Sequence, residues 1–437
     1  MTPDADVIVL GAGVAGLSAA RNITAAGHSV LVLDARSRTG GRVHYGAFEA
    51  AAHAVEYGGA WVSSRFHPHV MAEVRRYGLK LIVEPDFSWL WALDESMYAP
   101  GFPLTGNELY DLERGFADII FAARRIDRAV RRDQQADLAD LDVPFESWIK
   151  MLGLSPRVEK FLFMAASIGT GAREAEFSAL SVLSLVAGMD CSALGYISAC
   201  SERFVDGTAS LIDALASTPG IEVRLDQVVH HVVQDDDKVE VHTRDCALTA
   251  RQVVVTLPVN CWSDVTFDPP LNEAKQKLAR RRHPNQMLKL YLLADKDPGD
   301  IFTLGRETDL LCVATQYRTE RGVVLVAFAS PPSTFQPHSR EDVERAFAQV
   351  LPHARLLDYA WHDWNADPFS RGAWMVYPPG HLAQEATAIA AHEGRLSFAG
   401  SDIATTWIGW MEGALETAER AAEEVLRRLD SPTRLRD

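Results

Sequence analysis

The sequence predicts an α/β protein of two domains, and three observations carry that expectation. A chain of 437 residues, 47% of them hydrophobic, exceeds what one ordinary core organises. Its opening stretch, Asp6 to Arg42, reads as strand, glycine turn, helix, strand and a further glycine turn. The same grammar returns after a mostly helical insert, first beyond Gly207 and again from Arg395. One domain is therefore expected from residues 1–77, 202–278 and 381–437, and the other from 78–201 and 279–380.

Val7 to Leu10 is a continuous β-favouring apolar run, as expected of a parallel strand covered on both faces. GAGVAG follows. Gly11 permits the sharp turn, Gly13 lets the backbone approach a pyrophosphate past Ala15, and Gly16 lets the helix pack closely on the strand. The helix N-terminus then offers free N–H groups to phosphates. A second strand, Ser29 to Leu33, ends in Asp34, eighteen residues beyond Gly16, where an acid accepts hydrogen bonds from ribose hydroxyls. A lone GxGxxG would be weak, because glycine turns recur for backbone reasons alone. Strand, helix and acid together make a Rossmann-like adenine-dinucleotide site, with NAD and FAD both open at this point.

Ala35, Arg36, Arg38, Gly40, Gly41 and Arg42 form a second phosphate-approaching segment. EYGGAW, Glu56 to Trp61, adds another close-approach pair, Gly58 and Gly59, followed by Ala60 and Trp61. Here the chain resembles the flavin-containing amine oxidases (the monoamine oxidase family), whose FAD is cradled by such a succession. The resemblance implies a Rossmann-like FAD domain in three chain segments and an α+β substrate domain.

Helices are expected at Pro68 to Tyr77, Asn107 to Asp133, Pro144 to Leu152, Pro156 to Ser167 and Ser178 to Gly188. The arginine-rich end of the second, Arg124 to Asp133, reads as a solvated face because Asp127 and Asp133 are interleaved. Beyond Gly207 to Ser217, a helix, come strands at Glu222 to Leu225 and Val228 to Val233, a turn at Asp235 to Asp237, and a return strand. His230 and His231 alternate across their strand and cannot chelate one metal. By the resemblance, Val229 contacts the adenine through its backbone. Val253 to Thr256 is a further buried strand, and strands with aromatic-rich turns fill Ala279 to Gly380. Arg395 to Gly400 is the closing strand, and Trp410 to Leu429 an amphipathic helix with acids early and arginines late.

Lysine plus arginine number 43 against 59 acids, a formal charge of −16, which argues against nucleic acid and anionic membrane as partners. Five scattered cysteines with no CxxC pair suggest neither a disulfide framework nor a metal site. No stretch reaches eighteen apolar residues and no leader precedes the first strand, so a soluble cytoplasmic protein is expected. A homodimer is left open.

Leu396 to Leu426, LSFAGSDIATTWIGWMEGALETAERAAEEVL, closely resembles the family's C-terminal flavin motif and selects FAD over NAD. It implies that Gly400, Ser401 and Asp402 meet the ribityl-pyrophosphate region, and that Trp410 and Met411 bring a helix N-terminus to the flavin. A positive helix end there suits the charge gained on reduction. Lys289, in the apolar run MLKLYLL, is a buried ammonium in need of an explanation; the family's lysine at this place holds a water against flavin N5. Ala373 stands where many relatives carry a flavin-linking cysteine, so the FAD is expected to be non-covalent. Trp374 and Trp410 take the places of the ring pair flanking the amine.

Within the family, the bacterial hydroxynicotine oxidases resemble nearly the whole chain, with one departure: AASIGTG, Ala165 to Gly171, has no amide where those enzymes offer one to the substrate. The expected reaction is hydride transfer from the carbon adjacent to a neutral amine to flavin N5, reoxidation by O2 to hydrogen peroxide, and hydrolysis of the imine. The substrate expected is hydroxynicotine-like, or another small (hetero)aromatic or cyclic amine. Two alternatives stand beside it: an amino-acid oxidase, needing an arginine such as Arg173, Arg203 or Arg318 for the carboxylate, and a flavin-holding interaction module without turnover.

Overall fold

The computed structural model describes residues 3–430 apart from Ser96, Ala136, Ser198, Ala199 and Pro332. Residues Val7 to Leu10 lie within an eight-stranded sheet, seven of whose strands run in the order Ile221–Arg224, Val30–Leu33, Ala5–Leu10, Ala247–Val255, Val239–Thr243, Val229–Gln234 and Thr266–Asp268, the eighth being Leu396–Phe398 beside Ala247–Val255. Val7 and Val9 pack toward the helices Val14–Ala25 and Met411–Asp430, while Ile8 and Leu10 pack into the larger core on the opposite face. That two-sided burial is why the run is apolar at every position. Ala247–Val255 serves two partners in sequence: its first half pairs antiparallel with Val239–Thr243, and Val253 to Val255 pair parallel with Leu396–Phe398. The last strand and the first are thereby both held by Ala247–Val255, although almost four hundred residues separate them in the chain.

The second sheet has seven strands, ordered Leu356–His362, Leu288–Ala294, Gly322–Ala329, Cys312–Thr319, Ile301–Gly305, Ser88–Ala92 and Ala99–Pro100. Strand alternation decides what each face does. Leu290, Leu292 and Ala294 pack with Val343, Ala346 and Phe347 of the helix Arg340–Val350. Tyr291 and Leu293 point the other way, toward Phe48, Val55 and Tyr57. Lys289 shares their face and is thus aimed at the loop that follows Tyr57.

Several sequence expectations need correcting. The helix from Asn107 ends at Ala123, ten residues short of Asp133. Asp127 breaks it: its carboxylate accepts from the Ala129 N–H and its N–H and carbonyl bond to the Gln135 amide, so the chain turns instead of continuing. Arg132 accordingly lies on no solvated face but is 1% exposed, donating to Ser184 and the carbonyls of Asp127 and Val130. The insert is also less helical than expected, because Leu81–Val83 and Ser88–Ala92 are strands. Trp89 and Trp91 stack with ring centroids 5.1 Å apart, a side-chain pair that suits a pleated surface. Short helices at Glu273–Arg281 and Leu382–Ala390 and the longer Arg340–Val350 were not anticipated. Among the described residues no helix is long and apolar enough to cross a membrane.

Candidate active site

One cavity of about 870 Å³ runs from Asp34, at the end of a strand of the first sheet, to Trp374 and to Lys289 on the second sheet. Most residues singled out from the sequence for a cofactor or catalytic role line it, but Gly16 and Asp402 do not. Those two act from behind. A Cβ at Gly16 would overlap the Gly11 carbonyl, so glycine is what allows the helix Val14–Ala25 to begin flush against the strand. Gly11 itself has a φ of +109°, which side chains rarely adopt. Gly13 and Gly59 have room on the cavity side, and nothing lies within 4 Å of where a Cβ on Gly400 would be.

Asp34 is 4% exposed and accepts from the N–H of Ala12 at 2.7 Å and of Arg36 at 2.9 Å. Burial raises its pKa, opposed by those two backbone donors and by Arg36 and Arg38. The arginines of the second glycine segment hold the loop, and Arg36 and Arg42 also line the cavity. Arg36 donates to Asp367 at 2.8 Å and to Ser370 at 2.7 Å, and Arg38 donates to the carbonyls of Thr39 and Gly41. Arg42 donates to the Ala373 carbonyl at 3.0 Å, to Ser401 at 3.2 Å and to Asp402 at 2.5 Å, tying three chain segments together. The other oxygen of Asp402 accepts from the Val259 N–H. Asp402 therefore backs the cavity wall through Arg42 instead of facing the cavity, because both of its oxygens are already spent.

At the other end Lys289 is 6% exposed and its Nζ donates to the Gly58 carbonyl at 2.9 Å. It lies 4.9 Å from the Trp61 ring centroid and 5.7 Å from that of Phe328. Burial holds its ammonium far below the usual lysine range, at about 7, against the opposing pull of the Glu56 carboxylate. Glu56 is itself raised by burial, although Thr208 donates to it from both its N–H and its hydroxyl. Trp374 donates its indole N–H to the Gly169 carbonyl at 2.7 Å, leaving its π-face for the cavity. Trp410 immediately precedes the helix Met411–Asp430 and is packed edge to face with His67 and Trp407.

Among the wall residues that sequence reading missed, two bear polar groups that shape the site. Glu84 lies on the cavity, but its carboxylate is held by Arg203 at 2.5 Å and by the Trp61 indole at 2.7 Å. Nothing in VEPDF announces this, since the partners come from Trp61 and from residue 203 on a strand of the same three-stranded sheet. Tyr196 was likewise unmarked, on a five-residue helix with no motif around it. The arginines considered for a carboxylate fork do not reach the cavity. Arg203 is taken by Glu84, Arg318 by Asp297 and Asp300, and Arg173 is exposed. Among the described residues no group of histidine, cysteine and acidic side chains is placed to hold a metal.

Residues 14–426 match the family described as flavin containing amine oxidoreductase. The chain belongs to that family. It is 34% identical to (S)-6-hydroxynicotine oxidase of Paenarthrobacter nicotinovorans over 96% of this chain and 99% of that protein. To nicotine dehydrogenase of Pseudomonas putida it is 32% identical, over 97% and 88%. Cyclohexylamine oxidase from Brevibacterium oxydans, at 22% identity, shares the fold with a TM-score of 0.84 over 98% of this chain and all of that one. This flavin amine oxidase thus takes FAD as its cofactor and amines as its substrates. The cavity fits the group: the open sides of Gly13, Gly59 and Gly400 leave backbone within reach of phosphate, and Asp34 stands at the ribose end. The N-terminus of Met411–Asp430 opens onto the opposite end.

Proposed function

We propose that this amine oxidase acts on the neutral form of a small, flat cyclic or (hetero)aromatic amine, with O2 as electron acceptor and FAD held without a covalent bond. The observation that carries the reading is Lys289, buried on the apolar wall and bonded to the Gly58 carbonyl inside the cofactor cradle. When bound, the flavin supplies a two-electron acceptor that takes hydride from the carbon bearing nitrogen and returns the electrons to O2 as hydrogen peroxide. The chain's own part is to position and to desolvate. The faces of Trp374 and Trp410 align the amine. A cation–π contact of roughly 0.5 to 2 kcal/mol holds its ammonium form before the proton leaves for water. No side chain is needed as a base when the amine reacts neutral, and the Glu84 carboxylate on the cavity is already committed to Arg203 and Trp61. Lys289 keeps a proton donor and a water at the cradle, and its depressed pKa lets it change charge near neutrality. The imine product leaves and is hydrolysed to a carbonyl compound and the remaining amine.

Ala373, 7% exposed, occupies the wall position at which a cysteine would form the flavin bond, which supports non-covalent binding. The names of relatives acting on hydroxynicotine and nicotine support a substrate of that shape for this chain. The test is peroxide release by FAD-loaded protein across cyclic amines, arylalkylamines and amino acids, repeated without oxygen in the presence of a dye acceptor. Peroxide from amines alone is expected. Turnover of amino acids only, or reduction of the dye with no peroxide in air, would overturn the substrate or the acceptor assignment respectively.

A further inference from the structure

The cavity wall nearest Trp374 contains a hole and a plug. The hole is Gly169: a Cβ there would overlap the hydroxyl oxygen of Tyr196. The plug is Tyr196 itself, on the short helix Ala193–Ile197, packed with Leu185, Met189 and Trp407 and next to Trp410. Its hydroxyl donates to the Ala166 carbonyl at 3.2 Å. The neighbouring Gly169 carbonyl is taken by the Trp374 indole. So the absence of a side chain at position 169 seats a phenol and, in the same turn, fixes one of the two tryptophan rings.

We infer that Tyr196 determines specificity, accepting a hydrogen bond from a donor carried by the substrate's ring. A phenol has one proton and two acceptor sites. Its proton is spent on Ala166, so toward the cavity it presents only the acceptor. Burial raises its pKa, which keeps it protonated, and the bond to Ala166 and the seat against Gly169 hold the ring in place. Around it the wall is apolar, with Ile168, Leu185 and Met189 on the cavity, and Trp374 offers a face rather than an N–H. A ring O–H or N–H buried against such a wall without Tyr196 would lose its hydration and gain nothing. The substrate class that fits is an amine whose aromatic or lactam-like ring carries a hydroxyl or N–H. The inference rests on the amine-oxidase reading and narrows it: the polar contact comes from residue 196, not from the segment Ala165 to Gly171.

The test uses FAD-loaded protein and matched amine pairs that differ only in a ring hydroxyl: benzylamine, phenethylamine and 2-phenylpyrrolidine with their 3- and 4-hydroxy forms. In the wild type at least one hydroxylated member should exceed its partner in kcat/KM by about tenfold or more. Tyr196→Phe should bring that ratio close to one by slowing the hydroxylated member, leaving the other within about twofold. Gly169→Ala, which pushes the phenol off its seat, should flatten the ratio by an independent route. Melting temperatures of the cofactor-free proteins report whether each variant folds. A wild type without preference, a ratio that survives Tyr196→Phe, or an equal fall in both members would overturn the inference while leaving amine oxidation intact. Failure of the wild type to oxidise any amine would instead remove the reading beneath it.

Discussion

Lys289 was conspicuous in the sequence because a charged side chain interrupted an apolar strand, and its contacts explain why the interruption is tolerated. Lys289→Met keeps the length and removes the donors. FAD binding should survive, while stopped-flow reduction by amine or reoxidation by O2 slows; unchanged rates in both half-reactions would remove Lys289 from the chemistry. Because burial depresses its pKa, the group is neutral above about 7 and charged below it. Wild-type rates should therefore show an ionisation near neutrality that Lys289→Met lacks. The stability sign follows from the same shift: the folded state binds fewer protons than the unfolded chain above pH 7, so this lysine favours folding more as pH rises from there toward its usual value of 10.5. Two neighbouring tryptophans give a sharper residue-scale contrast. Trp407 is 6% exposed and off the cavity, whereas Trp410 is partly exposed on it. Trp407→Ala should lower stability by roughly 3 to 5 kcal/mol. Trp410→Ala should lower kcat/KM by about one to two orders of magnitude with a smaller loss of melting temperature. The reverse pattern would make Trp410 a core residue.

At the scale of elements, the parts that follow local rules were legible. The strand, glycine turn and helix of residues 5–25 read correctly because each step depends on neighbours only: apolar β-formers, then glycine where φ is positive, then small residues. Asn107–Ala123 overran in the reading because the signal that ends it, the Asp127 turn, is made with Gln135 and carries no proline or glycine. The Arg42 partner of Asp402 was illegible for a related reason. A carboxylate at the end of a strand looks the same in sequence whether it meets a ligand or an arginine 360 residues away. That Arg42–Asp402 clamp yields a pH prediction. Burial raises the pKa of Asp402, but Arg42, His283 and the Val259 N–H outweigh it and hold the value below 3.8. The clamp's contribution to stability is thus present above that pH and lost as the pH falls through the depressed value. FAD should leave the protein steeply in acid, and Asp402→Asn should move the release toward neutral pH, read as free flavin fluorescence after filtration. Release at an unchanged pH would mean that the clamp does not gate cofactor retention.

Across the whole molecule, the site exists only because two sheets meet: glycines and Asp34 from the first, Lys289 and Phe328 from the second, with Trp374 between them. Motifs announced the first set, since backbone approach to phosphate restricts residue type. They did not announce Tyr196 or Glu84, whose places depend on how the helical insert packs against both sheets. The proposed non-covalent attachment also belongs to this scale, because Ala373 on the cavity wall offers the flavin no nucleophile. Acid or heat precipitation should leave the flavin in the supernatant, and yellow colour pelleting with the protein would contradict it. The account as a whole turns on electrons passing from an amine to bound FAD and then to oxygen. Anaerobic mixing of the FAD-loaded protein with a cyclic amine that carries hydrogen on the carbon next to nitrogen, such as 2-phenylpyrrolidine, should bleach the flavin absorbance in one step per equivalent of amine. Admission of air should restore the absorbance with one equivalent of hydrogen peroxide. Flavin absorbance that stays unchanged under every amine, while dithionite still reduces it, would contradict the central claim.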